Sequence, residues 1–211
     1  MANMESPRDI TPSSPDWLVR LEKLHPHQTL LGLAMIGSGL MFAYFMVAFA
    51  ASQTAITQAA LSLPKAFILS TLVIIFSSFW LVKVTQAFAQ EQFGELRQNL
   101  SWVMLLGILF TLLQAWGWYQ LLSTPIEAPG QITTKNYLFL MSGLHFLHLL
   151  GGLIFLLSVR WRVAKAAKDP VHSLITSTTP YRRVQIRMLV RFWHYLDLVW
   201  VVLFLFFLLV L

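Results

Sequence analysis

The hydrophobic positions of this chain are gathered in five long, nearly uninterrupted apolar runs, which short polar segments separate. The runs occupy about residues 30–50, 65–87, 101–122, 137–159 and 192–211. A helix needs about 20 residues to cross a bilayer, and each run is about that long. The runs do not alternate between apolar and polar residues as barrel strands do, and only helices or closed barrels satisfy the backbone in lipid. The pattern therefore predicts an all-α integral membrane protein with a bundle of five transmembrane helices.

The composition supports a membrane protein and excludes several other classes. Of the 211 residues, 57% are apolar and 11% are charged, whereas soluble domains are roughly 45–50% apolar. The absence of cysteine excludes iron–sulfur clusters, thiolate zinc sites and covalently attached haem. Segment 1–29 mixes both charges with prolines and lacks the short apolar region of a signal peptide. We therefore expect a cytoplasmic segment at 1–29 and one membrane domain at 30–211.

The basic residues are distributed unequally between the two sides of this predicted bundle. Thirteen of the fifteen lie in the N-terminal segment and the connections on its side, whereas Lys65 and Lys135 alone lie opposite. Cytoplasmic loops carry the excess of Lys and Arg. We therefore expect a cytoplasmic N-terminus, an external C-terminus and a cytoplasmic connection 160–190 with helical extensions near the headgroups. The net charge of +6 then reflects topology and anionic lipid rather than nucleic acid.

Four ionisable residues lie well within the spans, where such groups are costly and are either functional or paired. His145 and His148 lie in span four, and His194 and Asp197 lie in span five. A buried carboxylate needs hydrogen-bonding partners. Because His148 and Asp197 lie at similar depths, we expect a polar cluster of His148, His194 and Asp197 between spans four and five. A single carboxylate cannot relay protons across the membrane, so we expect the cluster to be structural.

The histidines do not fit a haem or metal site. Two axial haem ligands must lie at similar depths on facing helices. At about 1.5 Å of rise per residue, His145 lies roughly 12 Å and His194 roughly 25 Å below the outer ends of their spans. His145 and His148 share one helix face, but no third metal ligand has suitable spacing. We therefore expect no catalytic, metal-binding or cofactor-binding residue, with His145 contacting a neighbouring helix or lipid.

Small and aromatic residues within the spans predict where helices pack. Gly143 and Gly151 in span four permit close approach of another helix. Trp193 and Trp200 in span five are expected to fill space between helices or lie at the membrane interface. Further small residues of this kind are Gly32, Gly37, Gly39, Ser77, Ser78 and Gly152.

Two segments resemble motifs of subunit III of haem–copper respiratory oxidases. Residues 141–152 read MSGLHFLHLLGG, which resembles the family's S/T-G-x-H-x-x-H-x-x-x-G motif. Residues 192–200 read FWHYLDLVW, which resembles its last-helix motif W-H-[FY]-x-D-x-V-W. Weaker similarities in the second and third spans involve Leu63, Pro64, Ser70, Thr71, Ser77, Ser78, Leu106, Gly107, Phe110 and Gln114. The resemblance covers about residues 30–211 and fits the family's compact five-span bacterial form.

Two positions depart from that family pattern. Many members carry an acidic residue after a serine in the first of these spans, whereas Ser38 is followed here by Gly39. Many also carry a glutamate shortly after the third-span glutamine, where this chain has Gly117 between two tryptophans. Roles tied to those acids in the family therefore do not transfer to this chain.

The resemblance implies a non-catalytic subunit of a proton-pumping complex in the bacterial inner membrane. Such a subunit packs on subunit I beside subunit II, binds phospholipid and supports proton uptake, while haem and copper reside in the partner subunits. Two alternatives remain open from the sequence. One is an accessory subunit of a quinol oxidase or nitric-oxide reductase. The other is a small independent transporter, which would require discontinuous helices and paired charges at the midplane.

Overall fold

Every regular element in the computed structural model is an α-helix within the residues that it describes, which are 26–54, 63–126, 129–166 and 180–210. The elements are α1 (Pro26–Thr54), α2 (Lys65–Ala89), α3 (Phe93–Ser123), α4 (Pro129–Ala166) and α5 (Pro180–Val210). All five are long and apolar enough to cross a membrane. The prediction of an all-helical chain with five helices of this kind is confirmed.

The helices extend beyond the apolar runs that predicted them. Helix α3 begins at Phe93 rather than at 101, and α5 begins at Pro180 rather than at 192. Helix α4 starts at Pro129 and continues to Ala166. Polar residues at headgroup depth continue the intrahelical hydrogen bonding, so a search for apolar residues finds only the central part of each helix. Residues 167–179 of the 160–190 connection and residues 1–25 of the predicted segment 1–29 lie outside the described residues.

The polypeptide turns between α2 and α3 within three residues. The backbone amide of Gln92 donates to the carbonyl of Ala87 over 3.0 Å, and Glu91 between them has a φ of 57°. This turn lies at the same end of the bundle as the α4–α5 connection. We call it the basic end, because it carries the basic residues Lys83, Arg97, Arg160, Arg162, Lys165, Arg182, Arg183, Arg187 and Arg191.

Helices α2 to α5 form a closed four-helix core, and α1 packs on its outside. Each core helix contacts the next along the chain, and α5 returns to contact α2, while α1 contacts α4 and α5. Within the most apolar 18-residue stretch of each helix, 6% of the residues are buried in α1, against 33–39% in the core helices. The core contains large side chains that are fully buried, among them Phe67, Phe110, Trp193, Trp200 and Phe207.

Candidate functional site

Helix α2 presents four hydroxyl groups to its neighbours in the core. Ser70 and Thr71 are each followed two turns later by a serine, Ser77 and Ser78 respectively, so the four share one side of the helix. Ser70 and Ser77 are fully buried. We call these four residues the hydroxyl face. Ser70 and Thr71 donate their own protons to the carbonyl of Phe67, over 2.9 and 2.7 Å, which leaves their oxygens free to accept hydrogen bonds from other helices.

Two tryptophans of α5 and one glutamine of α3 donate hydrogen bonds to the hydroxyl face. The indole Nε1 of Trp200 donates to Thr71 Oγ1, and that of Trp193 donates to Ser77 Oγ, each over 3.0 Å. Gln114 Nε2 of α3 donates to Ser70 Oγ over 2.9 Å. An unpaired polar atom in hydrocarbon is costly. These bonds therefore fix how α2, α3 and α5 are rotated relative to one another.

Asp197 of α5 also meets the hydroxyl face. Ser78 donates a hydrogen bond to Asp197 Oδ2, and its oxygen lies 3.4 Å from His194 Nδ1. Asp197 is 7% exposed and His194 is exposed. The second carboxylate oxygen, Oδ1, has no hydrogen-bond partner among the described residues. The structure thus brings Asp197 and His194 together at Ser78 of α2.

The two histidines of α4 lie in separate environments. His145 is 1% exposed and packs with its ring centroid 5.3 Å from Trp200 and 6.0 Å from Phe110. Neither of its ring nitrogens has a hydrogen-bond partner within the described ranges. His148 donates from Nδ1 to the carbonyl of Leu144 over 2.7 Å, and its ring lies 5.7 Å from that of Phe42 in α1. No hydrogen bond joins His148 to Asp197 in the described structure, so His148 lies apart from the pair that Asp197 and His194 form at Ser78.

Of the three span-four glycines named from the sequence, Gly152 permits close packing, whereas Gly143 and Gly151 do not. A Cβ atom added to Gly143 or Gly151 would meet nothing within 4 Å, so neither mediates packing between the described helices. A Cβ on Gly152 would come within 2.9 Å of Leu196, and one on Gly107 within 3.1 Å of the Trp193 ring. The expected packing function therefore belongs to Gly107 and Gly152. Trp193 and Trp200 are each 1% exposed and fill space between helices.

Three further interhelical hydrogen bonds, away from the hydroxyl face, were likewise not predicted from the sequence. Ser38 of α1 and the Tyr195 hydroxyl of α5 lie 2.6 Å apart. Trp118 of α3 donates to Ser142 of α4 over 3.0 Å, and Arg160 donates to Ser101 over 2.9 Å. The residue types gave no signal for these pairs, because each pair depends on which helices are neighbours. Gly39 of α1 lies next to the same Tyr195 hydroxyl.

The described residues contain no group of three or more histidine, aspartate or glutamate side chains that could hold a metal ion. What they contain is a set of hydrogen bonds between helices, most of them made by uncharged groups, with Asp197, Arg160 and Lys135 as the charged partners. This arrangement holds helices in register.

No family model matches the chain. Among curated proteins it is similar to a protein described as "Probable cytochrome c oxidase subunit 3" from Mycobacterium leprae, with 30% identity over 64% of this chain and 61% of the relative. It is 28% identical to "Cytochrome c oxidase subunit 3" from Synechocystis over 64% of this chain and 52% of the relative. The protein of that description from Spodoptera frugiperda is 26% identical over 65% of this chain and 84% of the relative. The chain thus matches about three fifths of the mycobacterial relative and half of the Synechocystis one.

Proposed function

Because the chain is a distant homologue of the cytochrome c oxidase subunit 3 family, 25–30% identical over 64–68% of its length, we propose that it is the non-catalytic subunit III of a haem–copper terminal oxidase. In this role it packs on subunit I beside subunit II, binds membrane phospholipid and supports proton uptake. The complex reduces oxygen to water and pumps protons. Haem and copper are bound by the partner subunits.

This proposal rests on the homology and on the contacts that the family-like motif of α5 makes inside the bundle. Trp193, Asp197 and Trp200 of that motif all hydrogen-bond to the hydroxyl face of α2. The motif therefore stabilises the bundle, which is what a subunit without its own redox centre requires. The outer sides of the helices remain apolar, with exposed side chains such as Leu33, Tyr44 and Val47 on α1. Such faces suit lateral contact with lipid or with other membrane helices.

We further propose that the N-terminus and the basic end face the cytoplasm of a bacterium, in its inner membrane. Of the two basic residues at the opposite end, Lys135 is 7% exposed and its Nζ donates to the carbonyl of Thr124 over 2.5 Å. This lysine therefore caps the end of α3, where cations are favourable. Lys65 is then the only exposed basic residue at that end within the described ranges, which sharpens the asymmetry that determines membrane orientation.

Purification of the tagged full-length chain from its native membranes tests the subunit assignment. We expect haem-containing oxidase subunits to copurify, with oxygen consumption that depends on reduced cytochrome c. Deletion of the chain should lower the amount of assembled oxidase on native gels, and the restored gene should reverse this. The chain purified alone should contain neither stoichiometric iron nor copper by metal analysis.

The same preparation separates the proposal from its alternatives. A complex that oxidises quinol, or that reduces nitric oxide, would place the chain in a different member of the oxidase superfamily. A chain that copurifies with no haem protein, and whose deletion leaves membrane oxygen consumption unchanged, would contradict the subunit assignment.

A further inference from the structure

At the basic end, a groove of about 710 Å³ opens between the beginning of α3 and the last turns of α4. Arg97 and Arg160 line it, from α3 and α4 respectively, together with Ser101, Trp102 and Leu105. Two guanidinium groups on different helices thus face one outward-opening groove. Neither arginine forms an ion pair with a carboxylate among the residues that the structure describes.

Ser101 fixes Arg160 at this groove. The Arg160 Nε donates to Ser101 Oγ over 2.9 Å, and Ser101 donates its own proton to the carbonyl of Arg97 over 2.7 Å. Arg160 is half-buried. Its Nε is therefore committed to the protein, whereas its terminal nitrogens have no partner among the described residues. Arginine recognises phosphate through such paired N–H groups.

A stacked pair of tryptophans forms the neighbouring wall. Trp102 stacks on Trp80 of α2 with ring centroids 5.5 Å apart and an interplanar angle of 20°. The Lys83 Nζ lies 4.3 Å from the centroid of the Trp80 ring. Tryptophan is enriched where apolar lipid chains meet headgroups. Lys83 therefore places a positive charge against the tryptophan pair.

An apolar track leads from the groove along the membrane-facing side of α3. Leu105 lines the groove itself, and the exposed residues Ile108, Leu109 and Leu112 follow it at helical spacing. On α4, the exposed Leu157 lies one turn before Arg160. A positively charged groove that continues into an exposed apolar track fits a molecule with an anionic head and acyl chains.

We propose that this groove binds the phosphate headgroup of an anionic phospholipid, with Arg97 and Arg160 contacting the phosphate and the acyl chains lying along the α3 track. The proposed function includes phospholipid binding, and this groove is where we place it. The inference rests on the proposed function in one respect, namely that the basic end lies at the depth of the lipid headgroups. Free inorganic phosphate offers the same recognition chemistry, but it would leave the apolar track without an occupant.

Native mass spectrometry of the full-length chain with added phosphatidylglycerol or phosphatidylcholine of matched acyl chains tests the site. We expect the chain to prefer phosphatidylglycerol by about tenfold or more, because each basic residue near anionic lipid strengthens binding about fivefold. The double variant Arg97→Gln/Arg160→Gln should lose most of this preference. Ser101→Ala keeps both charges but releases Arg160, and it should lower the preference for phosphatidylglycerol about twofold.

The variant Arg183→Gln/Arg187→Gln is the matched control. It removes the same charge from the basic end at exposed positions of α5 and should keep the preference. If the double groove variant does not fold, Gly94→Asp and Gly94→Asn give a second comparison. Gly94 lines the groove, and a Cβ atom there meets nothing within 4 Å. The aspartate should weaken phosphatidylglycerol binding several-fold, and the asparagine should not.

Three results would overturn the proposal. The first is a preference for phosphatidylglycerol over phosphatidylcholine that is the same in the wild type, in Arg97→Gln/Arg160→Gln and in Gly94→Asp. The second is an equal loss of that preference in the Arg183→Gln/Arg187→Gln control, and the third is binding of millimolar inorganic phosphate without retention of phosphatidylglycerol. Haem copurification of the same variants separates this inference from the subunit assignment. A variant that loses lipid preference but retains haem subunits supports the site without touching the assignment. A wild-type chain that prefers phosphatidylglycerol but copurifies with no haem protein leaves the site intact and refutes the assignment alone.

Discussion

Gly117 of α3 lies so close to Phe67 of α2 that a Cβ atom at position 117 would overlap the phenyl ring. Phe67 is 1% exposed and makes an edge-on contact with Trp200, with centroids 5.8 Å apart. The ring therefore has little freedom to move. A side chain larger than that of glycine at position 117 would therefore displace Phe67 from the core.

Replacement of Gly117 by alanine should destabilise the bundle by about 1–3 kcal/mol, the usual cost of overpacking a core. The midpoint temperature of aggregation in detergent, followed by size-exclusion chromatography, measures the effect. Gly151→Ala is the matched control, since a methyl group there meets nothing within 4 Å. Equal midpoints for the two variants would show that Phe67 yields to the added methyl group.

The hydrogen bond from Trp200 to Thr71 should contribute measurably to the association of α2 and α5. A double-mutant cycle of Trp200→Phe and Thr71→Val, measured by unfolding in denaturing detergent, should give a coupling of about 0.6–1.7 kcal/mol. Trp116 is 51% exposed on α3, so a cycle of Trp116→Phe with Thr71→Val should show no coupling. Absence of coupling in the first cycle would mean that the bond does not stabilise the bundle.

Asp197 should act structurally through Ser78 rather than carry protons. Asp197→Asn retains an oxygen that accepts from Ser78, so oxidase assembly and turnover should remain nearly normal. Asp197→Leu removes the acceptor and should lower the yield of assembled complex more than the turnover per haem. Native gels and oxygen consumption per haem measure the two quantities.

Two further variants test the same role. The double variant Ser78→Ala/Asp197→Leu should give a higher yield of assembled complex than the losses of the two single variants predict when they are added. The reason is that no hydroxyl group is then left without its acceptor. An Asp197→Asn enzyme that assembles fully but loses most of its turnover or proton pumping would identify Asp197 as a proton carrier.

The membrane orientation can be measured without background, because the chain has no cysteine. Gln92→Cys lies in the exposed turn between α2 and α3, and Ile126→Cys lies just after α3, where Ile126 is 54% exposed. We expect an impermeant maleimide to label Ile126→Cys in intact cells and to label Gln92→Cys only after the membrane is opened. The reverse pattern would invert the proposed topology.

The number and type of the helices could be predicted from the sequence, because lipid makes a local rule decisive. A long apolar segment in hydrocarbon must satisfy its own backbone, and the helix does so without help from the rest of the chain. The same local rule explains why the ends of α3, α4 and α5 were placed too far inward. Polar residues such as Arg97 and Arg182 continue a helix without contributing any hydrophobic signal.

The contacts of each helix required the tertiary structure. A helix that is apolar on nearly every side carries no amphipathic pattern to indicate its inward face, so the sequence could identify Asp197 as a residue in need of a partner but not Ser78 as that partner. The same applies to the glycines: Gly107, Gly151 and Gly152 are chemically identical, and only the positions of Trp193 and Leu196 decide which of them are needed. The apolar runs alone were enough to predict five membrane helices and one carboxylate buried among them. The packing of α5 against α2 decided which side chains hold it together, because interhelical hydrogen bonds depend on helix neighbours and rotation, which local composition does not encode.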